Sequence, residues 1–132
     1  MTPLNRVNPW LVLLGLSLGV LVTNGFGRFA YGLILPAMRA DLNWTYAQAG
    51  WLNTANAAGY VLGAAGTMVM VRRIAPGRLF VWGLVATVAA ILATGAIPAL
   101  WWQSLWRFAT GVAGALSFST AGTLAARLFA DN

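Results

Sequence analysis

The chain has no cysteine, no histidine, no lysine and no glutamate. Without cysteine there is no disulfide framework, no thiolate metal site and no redox compartment to infer. Without cysteine or histidine, a structural zinc site has no ligand set. Asp41 and Asp131 are the whole acidic complement, and both lie outside the apolar runs. No nucleophile–base pair can be assembled from such an inventory, so an enzyme is not expected, nor a metal or cofactor. Charge of either sign is scarce: 8% of the 132 residues are Asp, Glu, Lys or Arg, against about 25% in a soluble domain.

What is present is apolar. Hydrophobic residues make up 60% of the chain and glycine adds 15 positions. Eight arginines and two aspartates cannot cover the surface of a soluble fold of this size. A disordered chain is excluded too, because it needs low hydrophobicity. The composition is that of an integral membrane protein, with the lipid bilayer as its first partner. The net charge of +6 is not a nucleic-acid signature. Nucleic-acid binders cluster their basic residues on a solvated face, whereas these arginines are dispersed between apolar runs.

Four apolar segments follow one another, at about 10–36, 47–71, 79–97 and 101–128. Each exceeds the ~18 residues that mark a spanning helix. Alternation of period two is absent, which argues against a β-barrel. The expected fold is therefore an all-α integral membrane protein with four transmembrane helices in one domain, 1–132. Thr45 is placed to cap the second helix. Arg72-Arg73-Ile74-Ala75-Pro76-Gly77-Arg78 reads as a tight basic turn, and Pro98-Ala99-Leu100-Trp101-Trp102 as a short aromatic connection at a bilayer interface. The first span is too long for a signal peptide, and no small-residue cleavage site follows it. Arg6, Arg72, Arg73, Arg78 and Arg127 fall on one side of the membrane and Arg39 on the other. That asymmetry puts both termini and the 72–78 turn in the cytoplasm. Residues 37–46 and 98–101 are then external.

Polar residues avoid lipid, so their spacing reports which face of each helix is turned away from it. Ser17, Asn24, Arg28 and Tyr31 form a stripe on the first helix at about 100° per residue. Asn53, Asn56 and Tyr60 form one on the second, and Arg107, Thr110, Gly111 and Gly114 one on the fourth. The third helix offers Thr87 and Thr94. Helices 1, 2 and 4 are thus expected to face a cavity, with helix 3 at the lipid-facing rim. Gly59 and Gly63 follow Ala55 at steps of four, and Gly111 opens a similar series with Ala115 and Ser119. Such spacing lets backbones approach closely, whether in a static or a moving interface. From the ~1.5 Å rise per residue, Arg107 lies about 9 Å below the outer surface. Asn24, Asn53 and Asn56 lie at about 9–14 Å. Asn24, Arg28, Tyr31, Asn53, Asn56, Tyr60, Arg107 and Thr110 are the cavity-lining candidates. Each has a plainer role as well: asparagines bonding a neighbouring helix, Tyr31 as an interfacial anchor, Arg28 reaching to the outer headgroups.

Arg107-Phe108-Ala109-Thr110-Gly111-Val112-Ala113-Gly114-Ala115 resembles the fourth-helix motif of the major facilitator superfamily, an Arg followed four residues later by Gly and small residues. Thr110 stands where that motif has Gln. The 72–78 turn sits where the superfamily has its basic loop between helices 2 and 3. Gly77-Arg78 fits the end of that loop motif, but its acidic residue is missing and the spacing back to Gly66 is too long. The runs Gly25-Phe26-Gly27-Arg28-Phe29-Ala30-Tyr31-Gly32-Leu33-Ile34-Leu35-Pro36 and Gln48-Ala49-Gly50-Trp51-Leu52-Asn53-Thr54-Ala55-Asn56 are similar to the YbfB/YjiJ type of bacterial transporter in this superfamily. The resemblance covers essentially the whole chain and about a third of a family member. It implies the first four helices of an N-terminal six-helix bundle, in the bacterial inner membrane. Helices 1 and 4 would line a central cavity, helix 2 would contribute to the interface between halves, and helix 3 would lie at the rim.

The expected function is transport of a small solute as part of a secondary transporter, the chain being a truncated piece whose remainder is a missing partner. Two other readings stay open. One is a free-standing four-helix protein that self-associates, as small multidrug exporters do, although those rely on a membrane-embedded Glu. The other is a nonfunctional fragment.

Overall fold

The structure, a computed structural model, describes residues 7–130. Arg6, counted in the charge asymmetry, and residues 131–132 lie outside them. Four helices account for nearly all of the described chain: α1 (Pro9–Asp41), α2 (Tyr46–Met70), α3 (Pro76–Thr94) and α4 (Leu100–Leu128). Two of them, α1 and α3, are long and apolar enough to cross a membrane. The asparagines, glutamine and glycines of α2, and the arginines, glutamine and hydroxyl residues of α4, lower their mean hydropathy.

Local chemistry sets the boundaries. Asn8 caps α1, its side chain accepting from the Trp10 amide at 3.0 Å, and Pro9 occupies the first turn, where no N–H is needed. At α2, Thr45 Oγ1 accepts from the Gln48 amide at 3.1 Å, while Gln48 Oε1 accepts from the Thr45 amide at 2.9 Å. This reciprocal pair is a capping box. Asn43, between α1 and α2, has φ 53°, a left-handed conformation that Asn tolerates better than most residues. Pro76 opens α3, three residues before the apolar run suggests, because proline is pre-set for a first helical turn. That helix stops at Thr94 rather than Ile97. The first helix runs past Pro36 to Asp41, five residues beyond the expected end. Proline removes one backbone donor there and its ring crowds the carbonyl one turn back, yet the helix continues through it.

The long α1 is not uniform. Between two α-helical parts, Leu21–Ala30 winds as a π-helix with i→i+5 bonding. Gly25 and Gly27 lie within it, and Thr23 and Asn24 supply side-chain donors to the preceding turn. Thr23 Oγ1 donates to the carbonyls of Gly19 (3.1 Å) and Val20 (3.3 Å), and Asn24 Nδ2 reaches Val20 O at 3.4 Å. Such back-bonding competes with the regular ladder and loosens it. The consequence is a different seam. An α-turn closes in 3.6 residues, so a step of four overshoots. A π-turn holds more than four residues, so the same step undershoots. The drifts offset each other, and Gly19, Thr23, Gly27, Tyr31 and Leu35 share the inward face at a constant step of four. Ser17, expected on the polar stripe, is exposed.

The bundle is organised around α4, which packs against each of the other three helices. Both α2 and α3 run along it. The α2–α4 seam is made of backbone. A Cβ on Gly59 would strike the Phe108 carbonyl, one on Gly63 would strike Val112, and one on Gly111 would strike the Asn56 carbonyl. On α3, a Cβ on Gly83 would likewise come 2.8 Å from the Ser117 nitrogen. Gly114 is looser: a Cβ there would meet only the Thr23 carbonyl, at 3.9 Å. The inward face of α3 is Leu79, Phe80, Gly83, Thr87 and Ala90, all buried. That helix therefore has a packed seam of its own and is no more peripheral to α4 than α2 is. The outer surface is apolar: Leu33, Phe29, Leu92, Met68 and Trp10 are all more than half exposed. A soluble monomer rarely leaves so much apolar surface uncovered.

Candidate functional site

Arg107 is the largest fully buried side chain, at 2% exposure. It projects from α4, about two turns after that helix begins, towards the π-helical segment of α1. Its Nη1 donates to the Gly27 carbonyl at 2.5 Å. Its Cζ lies 3.9 Å from the centroid of the Tyr31 ring, so the cation sits on the negative face of the π-system. Its own backbone carbonyl accepts from Asn56 Nδ2 at 3.0 Å, which ties α2 to the same point. Gly27 lets this happen. A Cβ there would lie 3.1 Å from Thr110 Cγ2, so that methyl group would have to give by a few tenths of an ångström.

Around Arg107 the polar groups are paired in a chain. Tyr31 donates its hydroxyl to Gln103 Oε1 at 3.3 Å. Gln103, itself 2% exposed, donates its amide to the carbonyls of Thr94 (2.6 Å) and Ile97 (3.0 Å). The Thr94 carbonyl is at the end of α3, where a helix lacks internal donors, and Ile97 follows in the connection to α4. Trp102 Nε1 serves Ala93 in the same way at 2.7 Å. Thr110 donates to the Trp106 carbonyl at 2.7 Å. Arg107 Nε has no partner.

Two hollows flank this node. The larger, about 320 Å³, lies between α1, α3 and α4. Phe26, Ala30, Ile34, Met38 and Ile91 form apolar walls, and Tyr31, Gln103, Arg107 and Thr110 form a polar end. The third helix contributes here through Ile91, Thr94 and Gly95, where the polar stripes point to helices 1, 2 and 4. The smaller hollow lies between α1, α2 and α4. Asn24, Arg28, Asn56, Tyr60, Thr110, Gly111 and Gly114 surround it, together with Thr23 and Gly27. Arg28 is exposed, with its Cζ 5.3 Å from the Tyr60 ring centroid.

The structure thus gathers Asn24, Arg28, Asn56, Tyr60 and Thr110 on one side of the node, and Tyr31, Arg107 and Thr110 on the other. Asn53 joins neither group: it is exposed, one turn from the buried Asn56. Gln103 and Thr23 are buried participants that the polar stripes do not pick out. Gln103 lies one turn before Arg107 on the same face, a spacing that could have drawn attention to it. Thr23 sits in the segment where 100° arithmetic fails. Arg72, Arg73 and Arg78 are exposed on the α2–α3 turn and touch neither hollow. On the opposite connection, Arg39 donates to the Trp44 carbonyl at 3.3 Å and stacks on Tyr46, its Cζ 4.1 Å from the ring centroid.

A buried cation with an unengaged donor, beside a hollow in an apolar bundle, is an arrangement for holding a polar solute away from lipid. No general base or nucleophile accompanies it among the described residues, and no group of three potential metal ligands occurs there. No curated protein matches the chain, and no solved structure does. Residues 20–131 match the family described as the uncharacterised MFS-type transporter YbfB. The chain therefore belongs to this family of major facilitator superfamily proteins, which are membrane transporters and not enzymes.

Proposed function

We propose that the chain supplies the first four helices of the N-terminal bundle of a secondary transporter for a small solute, with Arg107 as the cation that faces the solute path. The observation that carries this reading is the buried guanidinium, held by the Gly27 carbonyl and the Tyr31 ring, next to a hollow of about 320 Å³. A charge at such depth is costly in lipid and is retained where it has work to do. All four helices cross the inner membrane of a bacterium in this reading, with both termini and the 72–78 turn in the cytoplasm. The arginine asymmetry supports that orientation. In this reading Asn24, Arg28, Asn56 and Tyr60, which surround the smaller hollow, line the route between the two halves of the transporter, and the exposed Asn53 turns towards the part of the transporter beyond these four helices. Gly59, Gly63 and Gly111 let α2 slide against α4 without side chains in the way, while Gly114 faces α1.

The test is flux. In a transporter built with these four helices, membrane vesicles are offered labelled organic anions, cations and neutral solutes. One class is expected to move saturably. Arg107→Ala at equal expression is expected to abolish that flux, and Arg107→Lys to lose most of it, because lysine lacks the planar fork. Normal flux in Arg107→Ala would remove Arg107 from this role, and no saturable flux of any class would remove transport itself.

A further inference from the structure

We infer that the hollow between α1, α3 and α4 is a binding site for a monocarboxylate with a small apolar body. The inference rests on the transport reading above and names the class of solute. The donors decide the chemistry. The hydroxyl proton of Tyr31 is engaged by Gln103 Oε1, and the Gln103 amide by the carbonyls of Thr94 and Ile97. Thr110 is engaged by the Trp106 carbonyl. That leaves Arg107, whose buried Nε–H has no acceptor. The polar end of the hollow therefore carries the positive charge of Arg107 and no carboxylate to balance it.

Charge balance points the same way. The acidic side chain among the described residues is Asp41, exposed at the end of α1. It lies about 15 Å further along the helix than Tyr31, at ~1.5 Å per residue. A guanidinium in a low-dielectric interior without a counter-ion is strained electrostatically, and an acceptor-only anion relieves it. The remaining walls, Phe26, Ile34, Met38 and Ile91, are apolar. They suit a ring or short alkyl body. A volume of about 320 Å³ lies at the low end for ligand pockets, so the body is small. A carboxylate of this type could come from water or from the bilayer, as a soluble aromatic acid or a fatty acid.

The experiment is equilibrium binding to the purified chain in nanodiscs of phosphatidylcholine, with empty discs subtracted. Benzoate is the soluble probe, laurate the bilayer-borne one, and benzyl alcohol the neutral control. Saturable binding of benzoate or laurate at one site per chain is expected, with benzyl alcohol at least tenfold weaker. Which acid binds more tightly identifies the source. Arg107→Gln is expected to weaken binding tenfold or more. Ile34→Trp, which crowds the open side of the hollow and leaves Arg107 in place, is expected to weaken it tenfold or more. Helical circular dichroism reports whether each variant folds, and if Arg107→Gln does not, Ile34→Trp decides alone. Binding should persist in discs containing phosphatidylglycerol. Its loss there would assign the site to a lipid phosphate and overturn the carboxylate. No saturable binding, equal binding of benzyl alcohol, or binding unchanged in Ile34→Trp would each overturn it as well. None of these outcomes reads flux or topology, so the transport reading stands or falls separately.

Discussion

Gly59→Ala puts a methyl group where α2 and α4 touch backbone to backbone. The new Cβ would meet the Phe108 carbonyl oxygen, and would lie 3.0 Å from its carbon and 3.2 Å from the Phe108 Cα. Carbon atoms rest at about 3.5–4.0 Å, so relief needs a shift on the order of 0.5–1 Å. A side chain could rotate away, but the backbone of a helix cannot. The two helices must separate as bodies, along a seam that includes Gly63 and Gly111. Overpacking of this kind costs about 1–3 kcal/mol. The better helix propensity of alanine offsets up to about 1 kcal/mol. A net loss of about 1–2 kcal/mol is expected. Gly66→Ala is the control on the same helix: nothing lies within 4 Å of its added Cβ, so it should be neutral or stabilising by up to about 1 kcal/mol. Unfolding in mixed micelles with rising dodecyl sulfate, followed by circular dichroism, measures the difference. A Gly59→Ala chain as stable as Gly66→Ala would refute the close approach of α2 to α4.

Other outcomes follow from the same contacts. Thr45→Ala removes half of the capping box at α2 and should lower stability by about 1 kcal/mol in the same unfolding assay. Gln103→Leu should cost about 1–3 kcal/mol, because it leaves the Thr94 and Ile97 carbonyls without their side-chain donor. Gly114→Ala should be nearly silent, its added Cβ meeting the Thr23 carbonyl at an ordinary 3.9 Å.

The number and order of the helices were legible because each apolar run is bounded by residues with a stop or start chemistry: Thr45 with Gln48, Pro76, and the 98–102 connection. The end of α1 was less so. Pro36 signals a break, yet the helix continues through it to Asp41. The π-helical Leu21–Ala30 was not legible, since a fixed 100° per residue presupposes the geometry that this segment departs from. That is why Ser17 falls outside and Thr23 inside. Asn53 and Asn56 show a second limit. They are one turn apart and chemically identical, and only the Arg107 carbonyl on α4 distinguishes them, by accepting from Asn56. The burial of Gln103 depends likewise on where the end of α3 comes to rest. Arg107 itself stood out at once, since a charge inside an apolar run must find partners. Which partners it finds, a glycine carbonyl and an aromatic face, only the packing reveals.

The central claim is that four helices cross the bilayer with the basic turn inside. Because the chain has no cysteine, single cysteines can be introduced at Asn43, Ala75 and Ala96, which are all exposed between helices. Intact cells are treated with a membrane-impermeant maleimide, before and after permeabilisation. Cysteines at 43 and 96 are expected to label in intact cells, and the one at 75 only after permeabilisation. Labelling at 75 in intact cells, or protection at 43, would contradict the account.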